Sequence, residues 1–423
     1  MRNNRLTGIA LAVGLILPLA ACSGGSSDNS DELVVQSIWT KGTAEGDALA
    51  KMIKEFTAET GTKVTWLDTG ESLADVFETS VAGGSEADIV LTNLAEKTNN
   101  WVTNGAVVDM APYIDQWGLT DSFKPDTVDQ WKDSDGKLIG LPYSGFTWPA
   151  WYNMDLLKQV GVDEVPATTD ELIDLAGKLR DAGIAPMSIG GNDWTGQKLF
   201  LQIAQMYATP EVAHKTFQEG DFCAQPDIKK GVALFTQLRD AGVFIDDAEG
   251  YSADAMNTQY YTGKAAIMSA GSWAFGSADL SAETAAATKL SGFPLPSGSS
   301  WDKPTAYNGY TGVGVLLSKN GAKKADAAGA FIKMLYSDDT ITDFVSTANL
   351  IPAVESEAKS TNPLLSQAVT DLDARVDYAV MPDTAVPGAV ADPMIRATSI
   401  AFAPGNDVDT ICKAIDDAYA SAG

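Results

Sequence analysis

The chain has 423 residues, with 56 Asp and Glu against 29 Lys and Arg, one His, three Cys and a formal net charge of −27. At ~150 residues per domain this length allows two or three domains with a sizeable core, and so acidic a surface excludes phosphate backbones as partners, so no nucleic acid is expected. His214 alone excludes paired-imidazole zinc chemistry, no nucleophile elbow is present for it to serve, and 45% hydrophobic with 9% aromatic residues excludes disorder.

The chain opens with MRNNRLTGIALAVGLILPLAAC. Arg2 and Arg5 form a positive start, and Leu6 to Ala21 is an apolar run too short, and interrupted by Pro18, to span a membrane. Leu19-Ala20-Ala21-Cys22 resembles a bacterial lipobox, so residues 1–21 read as a lipoprotein signal peptide and Cys22 as the lipidated residue. Cleavage there removes Arg2 and Arg5 and deepens the acidic excess by two charges. Two acyl chains suffice for stable anchoring, so the mature chain is expected to be tethered to the membrane by lipid only. Residues 22–31, Cys22 and then SGGSSDNSD, form a flexible tether; its nine residues after the cysteine reach roughly 15–18 Å. The expected address is the extracellular face of the cell membrane, or the periplasmic side where there is an outer membrane. In such an oxidising compartment Cys223 and Cys412, which lack CxxC spacing, suggest one disulfide; two separate buried thiols are the alternative.

After the tether, strand and helix alternate. Leu33–Trp39 is a β-rich run, and Leu49, Met52, Ile53 and Phe56 within Asp47–Thr60 form an apolar helix face closed by Gly61. Thr62–Leu67 is a second strand; Leu73, Val76, Phe77 and Val81 mark a second helix; Asp88–Leu91 is a third strand. This order argues a parallel, doubly wound α/β sheet, whose ligands bind beyond the carboxyl ends of its strands. The pattern restarts. Lys137–Tyr143 and Ala150–Asn153 are extended, Thr169 opens a helix, and Ala185–Ile189 is a buried strand. Helices are expected at Gln197–Tyr207, Ile228–Ala241 and Ala253–Tyr261, then a short strand at Ala265–Ser269, a strand at Val313–Ser318, and helices at Lys324–Tyr336 and Val408–Ala420. Two α/β units with a cleft between them is the natural reading.

Several blocks carry a resemblance: IWTKGTAEGDALAKMIKEFTAETGTKV, ADIVL, NGAVVDMAPYI, KLIGLPYSGFTWPAWYNMDLLKQVGV, YYTGKAAIMSAGSWAFG, and SKNGAKKADAAGAFIKMLYSDD followed by LIPA. Together they resemble the family 1 extracellular solute-binding proteins, the maltose-binding-like sugar receptors of ABC importers. ADIV departs from the family's usual PDIV, and the Cys223/Cys412 pair is not general. The resemblance implies a type II periplasmic-binding-protein-like fold with three crossings, near Gly140–Tyr143, Asn308–Val313 and Pro352–Val354. Lobe one would comprise 32–140 plus 313–352, and lobe two 141–312 plus 353–423.

Sugar sites combine flat aromatic walls with carboxylates and amides that bind hydroxyls. Trp194, beside Asp193 in a Gly-Gly-Asn-Asp loop, and Trp273, after Gly271 and Ser272, follow strands and match the family's sugar-stacking aromatics. Phe146 and Trp148 share one strand face and Trp151 the other, and Trp148 is the cleft candidate. Trp39 and Lys41 end the first strand, Asp68 ends the second, and Asn93 and Glu96 follow the third; the family pattern implies that these polar residues bind sugar hydroxyls. Tyr307, Asn308 and Tyr310 flank a crossing, and Asp383 is a further candidate. Asp133–Gly136 reads as a hairpin turn, lacking the spacing and bidentate Glu of a calcium loop. Gly309, Gly312 and Gly314 open no helix, so no dinucleotide site is read.

The expectation is therefore a monomeric extracellular receptor, without cofactor, metal or catalytic residues, that closes two lobes on a di- or oligosaccharide such as an α-glucoside. It would deliver that sugar to ABC transporter permeases. A glycoside hydrolase, with carboxylates ~5–10 Å apart, and a polyamine or iron receptor are the alternatives. The acidic excess reads as a solubility feature, not as the mark of a cationic ligand.

Overall fold

A computed structural model describes residues 32–422 except 125, 126 and 134. The signal peptide, Cys22 and the tether expected over residues 1–31 lie outside the described residues.

Strand β1 (Glu32–Ser37) leads into helix Ala44–Thr60. The Thr43 side chain accepts from the Gly46 N–H, and Glu45 and Asp47 sit in the first turn, where the helix dipole favours acids. Leu49, Met52 and Phe56 are buried on one face, each worth roughly 1.5–3 kcal/mol of apolar burial. Gly61 then takes a left-handed φ of 76°, which glycine adopts without penalty, and ends the helix. Strands β2 (Lys63–Asp68) and β3 (Ile89–Thr92) follow, both parallel to β1. Ser37 and Asp68 are paired at the ends of their strands, so the loops after β1, β2 and β3 open on one edge.

Strand β4 (Leu141–Trp148) is buried throughout and passes from this sheet towards β5 (Ala150–Asn153). The second sheet adds β6 (Ala185–Ser188), β7 (Ala265–Ser269) and β8 (Thr288–Ser291) in the order β6-β7-β5-β8. The long β9 (Thr305–Leu317) returns the chain, and short strands β10 (Ile351–Pro352) and β11 (Asp377–Tyr378) pair with β4 and β9. The first sheet runs β10-β4-β9-β3-β1-β2.

The parallel pattern holds for β2-β1-β3 and for β6-β7. The joining strands do not share it: β9 is antiparallel to β3 and β4, and β5 is antiparallel to β7 and β8. These strands arrive from the other half of the molecule and run against the local direction. The crossing expected near 308–313 and the strand expected at 313–318 are one continuous strand. Three further helices lie outside the expected set: Gly388–Ser399, which carries Pro393 internally, Ala95–Thr103 and Asp338–Ala348.

Two apolar cores result. One gathers buried side chains from Leu33 to Tyr143 and from Val313 to Val354. The other gathers them from Ala150 to Ala306 and from Leu364 to Ala418. A small third cluster, Phe146, Trp148, Tyr307, Ala379 and Met381, lies apart from both. In the second unit Cys223 and Cys412 form a disulfide, tying the segment after helix Pro210–Glu219 to helix Val408–Ala422. The Asp416 carboxylate accepts the Phe222 and Cys223 N–H groups at 2.7 and 3.1 Å beside it.

Candidate functional site

The loops beyond β1 and β3, the middle of β4 and the starts of several second-unit helices enclose a cavity of about 770 Å³. That size falls among ligand pockets, which run ~300–1,000 Å³. Both cores contribute residues to its walls.

One wall is aromatic. Alternation along β4 sends Phe146 and Trp148 to the cavity, while Trp151 enters the second core and donates from Nε1 to the Ala270 carbonyl at 2.8 Å. Trp148 is only 2% exposed, and its Nε1 donates to Ser269 Oγ at 3.0 Å, which fixes the indole. Trp194 and Trp273 stand against it, with ring centroids 5.6 and 5.1 Å away and 5.9 Å from each other. The Trp148 contacts are edge-to-face, at 76° and 84°, and Phe146 adds another at 6.2 Å from Trp273. Trp273 is 43% exposed, an unusual position for so large an apolar ring.

Local sequence explains how these rings are held. Trp194 was expected in a loop; it is instead the first residue of helix Trp194–Ala204. Asp193 is the N-cap, accepting from the Thr195 N–H at 2.9 Å, the Thr195 hydroxyl at 2.7 Å and the Ala253 N–H. Those bonds occupy its carboxylate, and it does not line the cavity, so Asp193 positions Trp194 rather than facing a ligand. Gly271 likewise acts through what it lacks. A Cβ there would meet the Trp273 ring at 2.0 Å, so only glycine lets the indole fold back over the backbone. Ser272 lines the cavity beside it.

The opposite wall is polar. Trp39, Asn93 and Glu96 line it as expected, together with Thr40, Glu45 and Glu71. Trp39 packs on Phe344 and Tyr143, with centroids 5.1 and 5.7 Å away. Glu96 Oε2 is sealed from solvent and has no hydrogen-bond partner among the described residues. Burial, and secondly the Asp383 charge, push its carboxyl up to about 7, against the opposing pull of Lys198. Asp383 lines the cavity and pairs with Lys198, whose Nζ also donates to Gln197 Oε1 at 3.3 Å. Burial also raises the Glu45 carboxyl.

The remaining candidates are not brought to the cavity. Lys41 and Asp68 form an ion pair at 3.1 Å on the exposed surface, and the Lys41 ammonium sits 5.0 Å from the Trp66 ring. That hydrogen bond lowers the Asp68 carboxyl and occupies it. Tyr307 is buried behind Trp148 and donates to the Lys198 carbonyl at 3.0 Å, so it supports the wall. Asn308 is exposed on β9 opposite Thr147. Tyr310 accepts the Trp131 Nε1 hydrogen on its carbonyl and donates its N–H to Gln130 Oε1 at 2.7 Å. On β9 it is Thr311, Gly312 and Val313 that reach the cavity.

Residues unread in the sequence include Glu45, Glu71, Gln197, Lys198, Asp254 and Asn349. A signal existed for two of them: Trp194, Gln197 and Lys198 stand at i, i+3 and i+4, one helix face. Asn349 closes helix Asp338–Ala348 with a left-handed φ of 56°.

The two units also meet beside the cavity. Lys97 on helix Ala95–Thr103 pairs with Asp392 on helix Gly388–Ser399 at 3.1 Å. A Cβ on Gly388 would come within 2.4 Å of the Glu96 carbonyl, so glycine permits this approach.

Residues 40–341 match the family described as bacterial extracellular solute-binding protein. A crystal structure of a "probable secreted solute-binding lipoprotein" from Streptomyces coelicolor is 38% identical, with a TM-score of 0.79, covering 92% of this chain and 98% of that one. A chitin oligosaccharide binding protein shares the fold at 23% identity and TM-score 0.79, again over 92% and 98% of the two chains. The diacetylchitobiose binding protein DasA of Streptomyces coelicolor is 24% identical over 389 residues, 84% of this chain and 83% of its own length.

Proposed function

The chain belongs to the bacterial extracellular solute-binding protein family, and on that premise we propose that it is the oligosaccharide-binding component of an ABC importer. It is a binding protein, not an enzyme. The observation that carries the reading is the pairing of walls: three indoles, Trp148, Trp194 and Trp273, across one cavity from Asn93 and Glu96. Sugar rings stack their C–H faces on indoles, at ~0.5–1.5 kcal/mol beyond burial, while carboxylates and amides take hydroxyls.

The lobes are taken as 32–140 plus 313–352 and 141–312 plus 353–423, with β4, β9 and the chain after β10 as crossings. A ligand that touches both walls binds the closed arrangement better than an open one and so shifts the population towards closure. The closed protein then presents both lobes together to the importer's permeases. Among the described residues no helix is long and apolar enough to cross a membrane. The lipobox at Cys22 supports anchoring on the extracellular face by lipid, with the receptor acting as a monomer.

A thermal-shift screen over α- and β-linked di- and oligosaccharides tests this. A true ligand raises stability by RT ln(1 + [L]/Kd), about 2.7 kcal/mol at 100 Kd. Two of the three proteins named above carry chitin-type names, so N-acetylated sugars join the α-glucosides in that screen. If no saccharide moves the transition, the reading fails.

A further inference from the structure

The charge lining the cavity is unbalanced in a way that a neutral sugar does not require. Six carboxylates reach it, against two lysines and no arginine or histidine. Both lysines are already taken. Lys198 is paired with Asp383, and Lys97 with Asp392 at 3.1 Å. Glu45, Glu71, Glu96 and Asp254 remain, and none of them is ion-paired among the described residues.

Glu96 is the most exacting of the four. Its Oε2 is out of contact with solvent and accepts no hydrogen bond, though it belongs to a residue that lines the cavity. A buried carboxylate oxygen left unpaired bears its full desolvation cost, which a donor brought by a ligand would offset. The aromatic wall is suited to the same partner. Indole faces attract cations as well as sugar C–H groups, and Trp273 leaves much of its ring open.

We propose that the cavity selects a saccharide bearing at least one protonated amine, with Glu96 accepting the ammonium hydrogen bond and the indole wall flanking the sugar. This rests on the saccharide reading above and narrows it. A neutral sugar fills the cavity but brings no cation to these four acids, at least one of which then holds its proton up to about pH 7. An amino sugar brings one to the cavity wall at Glu96, whose carboxyl has an oxygen with no partner within the fold.

The test is calorimetric titration of the purified protein with matched ligands. Glucose disaccharides in α-1,4 and β-1,4 linkage are compared with their 2-amino-2-deoxy and N-acetylated counterparts, and with spermidine. The amine form is expected to bind at least about tenfold tighter than the hydroxyl form of the same linkage. Glu96→Gln, nearly isosteric, should bring the amine form's affinity to within about a factor of three of the hydroxyl form's, whatever it does to the hydroxyl form's own affinity. A thermal melt checks that the variant is folded, and Glu71→Gln serves as a second variant, expected to halve the preference or more. A hydroxyl or N-acetyl form that binds as well as the amine overturns this inference and leaves the saccharide reading standing. Spermidine binding with no sugar bound keeps the amine and overturns the saccharide. Binding of none overturns both.

Discussion

Trp148 and Trp273 meet edge to face, 5.1 Å apart at 84°, one of them buried and the other 43% exposed. The two indoles therefore do different work. Trp148 is fixed by Ser269 and packs on Tyr307, so removing it opens a hole in the cluster between the lobes. Trp148→Ala is expected to cost about 3–5 kcal/mol of stability. Trp273→Ala removes a half-open ring and is expected to cost under about 1.5 kcal/mol. Urea unfolding of the two variants, read by circular dichroism, measures the contrast.

Asp193 caps the helix that carries Trp194 and also holds the Ala253 N–H. Asp193→Ala loses a cap worth about 1 kcal/mol and strands a second donor. A loss of about 1–3 kcal/mol in chemical unfolding is expected, with weaker ligand binding although Asp193 touches no ligand. If affinity is unaffected, the positioning role is wrong.

The Cys223–Cys412 bridge joins residues 189 apart in sequence. Closing so long a loop restricts the unfolded chain, and Cys223→Ser with Cys412→Ser is expected to lose about 2–5 kcal/mol. Neither cysteine lines the cavity, so unchanged affinity is expected. Melting temperature and titration of the double variant check both halves.

Glu96 sets a pH dependence. Its carboxyl rises from 4.5 to about 7 in the folded protein, chiefly through burial and then through Asp383. A raised folded value means that the folded state holds the proton more readily than the unfolded one. That contribution is present below pH ~4.5 and is lost as pH rises through about 7. The ligand-free protein should lose a few degrees of melting temperature between pH 5 and 7.5 through this group, and Glu96→Gln should flatten the change. Asp68 and Glu171 are shifted the opposite way and act only at more acid pH.

Much of this architecture was legible because burial leaves periodic marks. The Leu49, Met52, Phe56 spacing and Gly61 marked the first helix with both its face and its end. The alternation through Phe146, Trp148 and Trp151 separated the two rings of β4 that face the cavity from Trp151 of β5, which enters the second core. What stayed hidden depends on contacts distant in sequence. Nothing near Lys41 or Asp68 announces that they neutralise each other outside the cavity. Glu96, Lys198 and Asp383 come from three segments that only the folded chain assembles. The antiparallel joining strands were missed because direction is a property of topology, not of composition.

The lipobox reading predicts where the protein is found in cells. Cys22→Ala should move it from the membrane fraction to the medium or periplasm, as immunoblots of the fractions would show.

The central claim is that a saccharide binds against the indole wall between the lobes, and titration of wild type and Trp273→Ala with the best sugar from the screen tests it most directly. The account predicts one-to-one binding by the wild type and at least about a tenfold loss in the variant, consistent with one stacking face removed. Equal affinity in both proteins, with the variant folded, would contradict it.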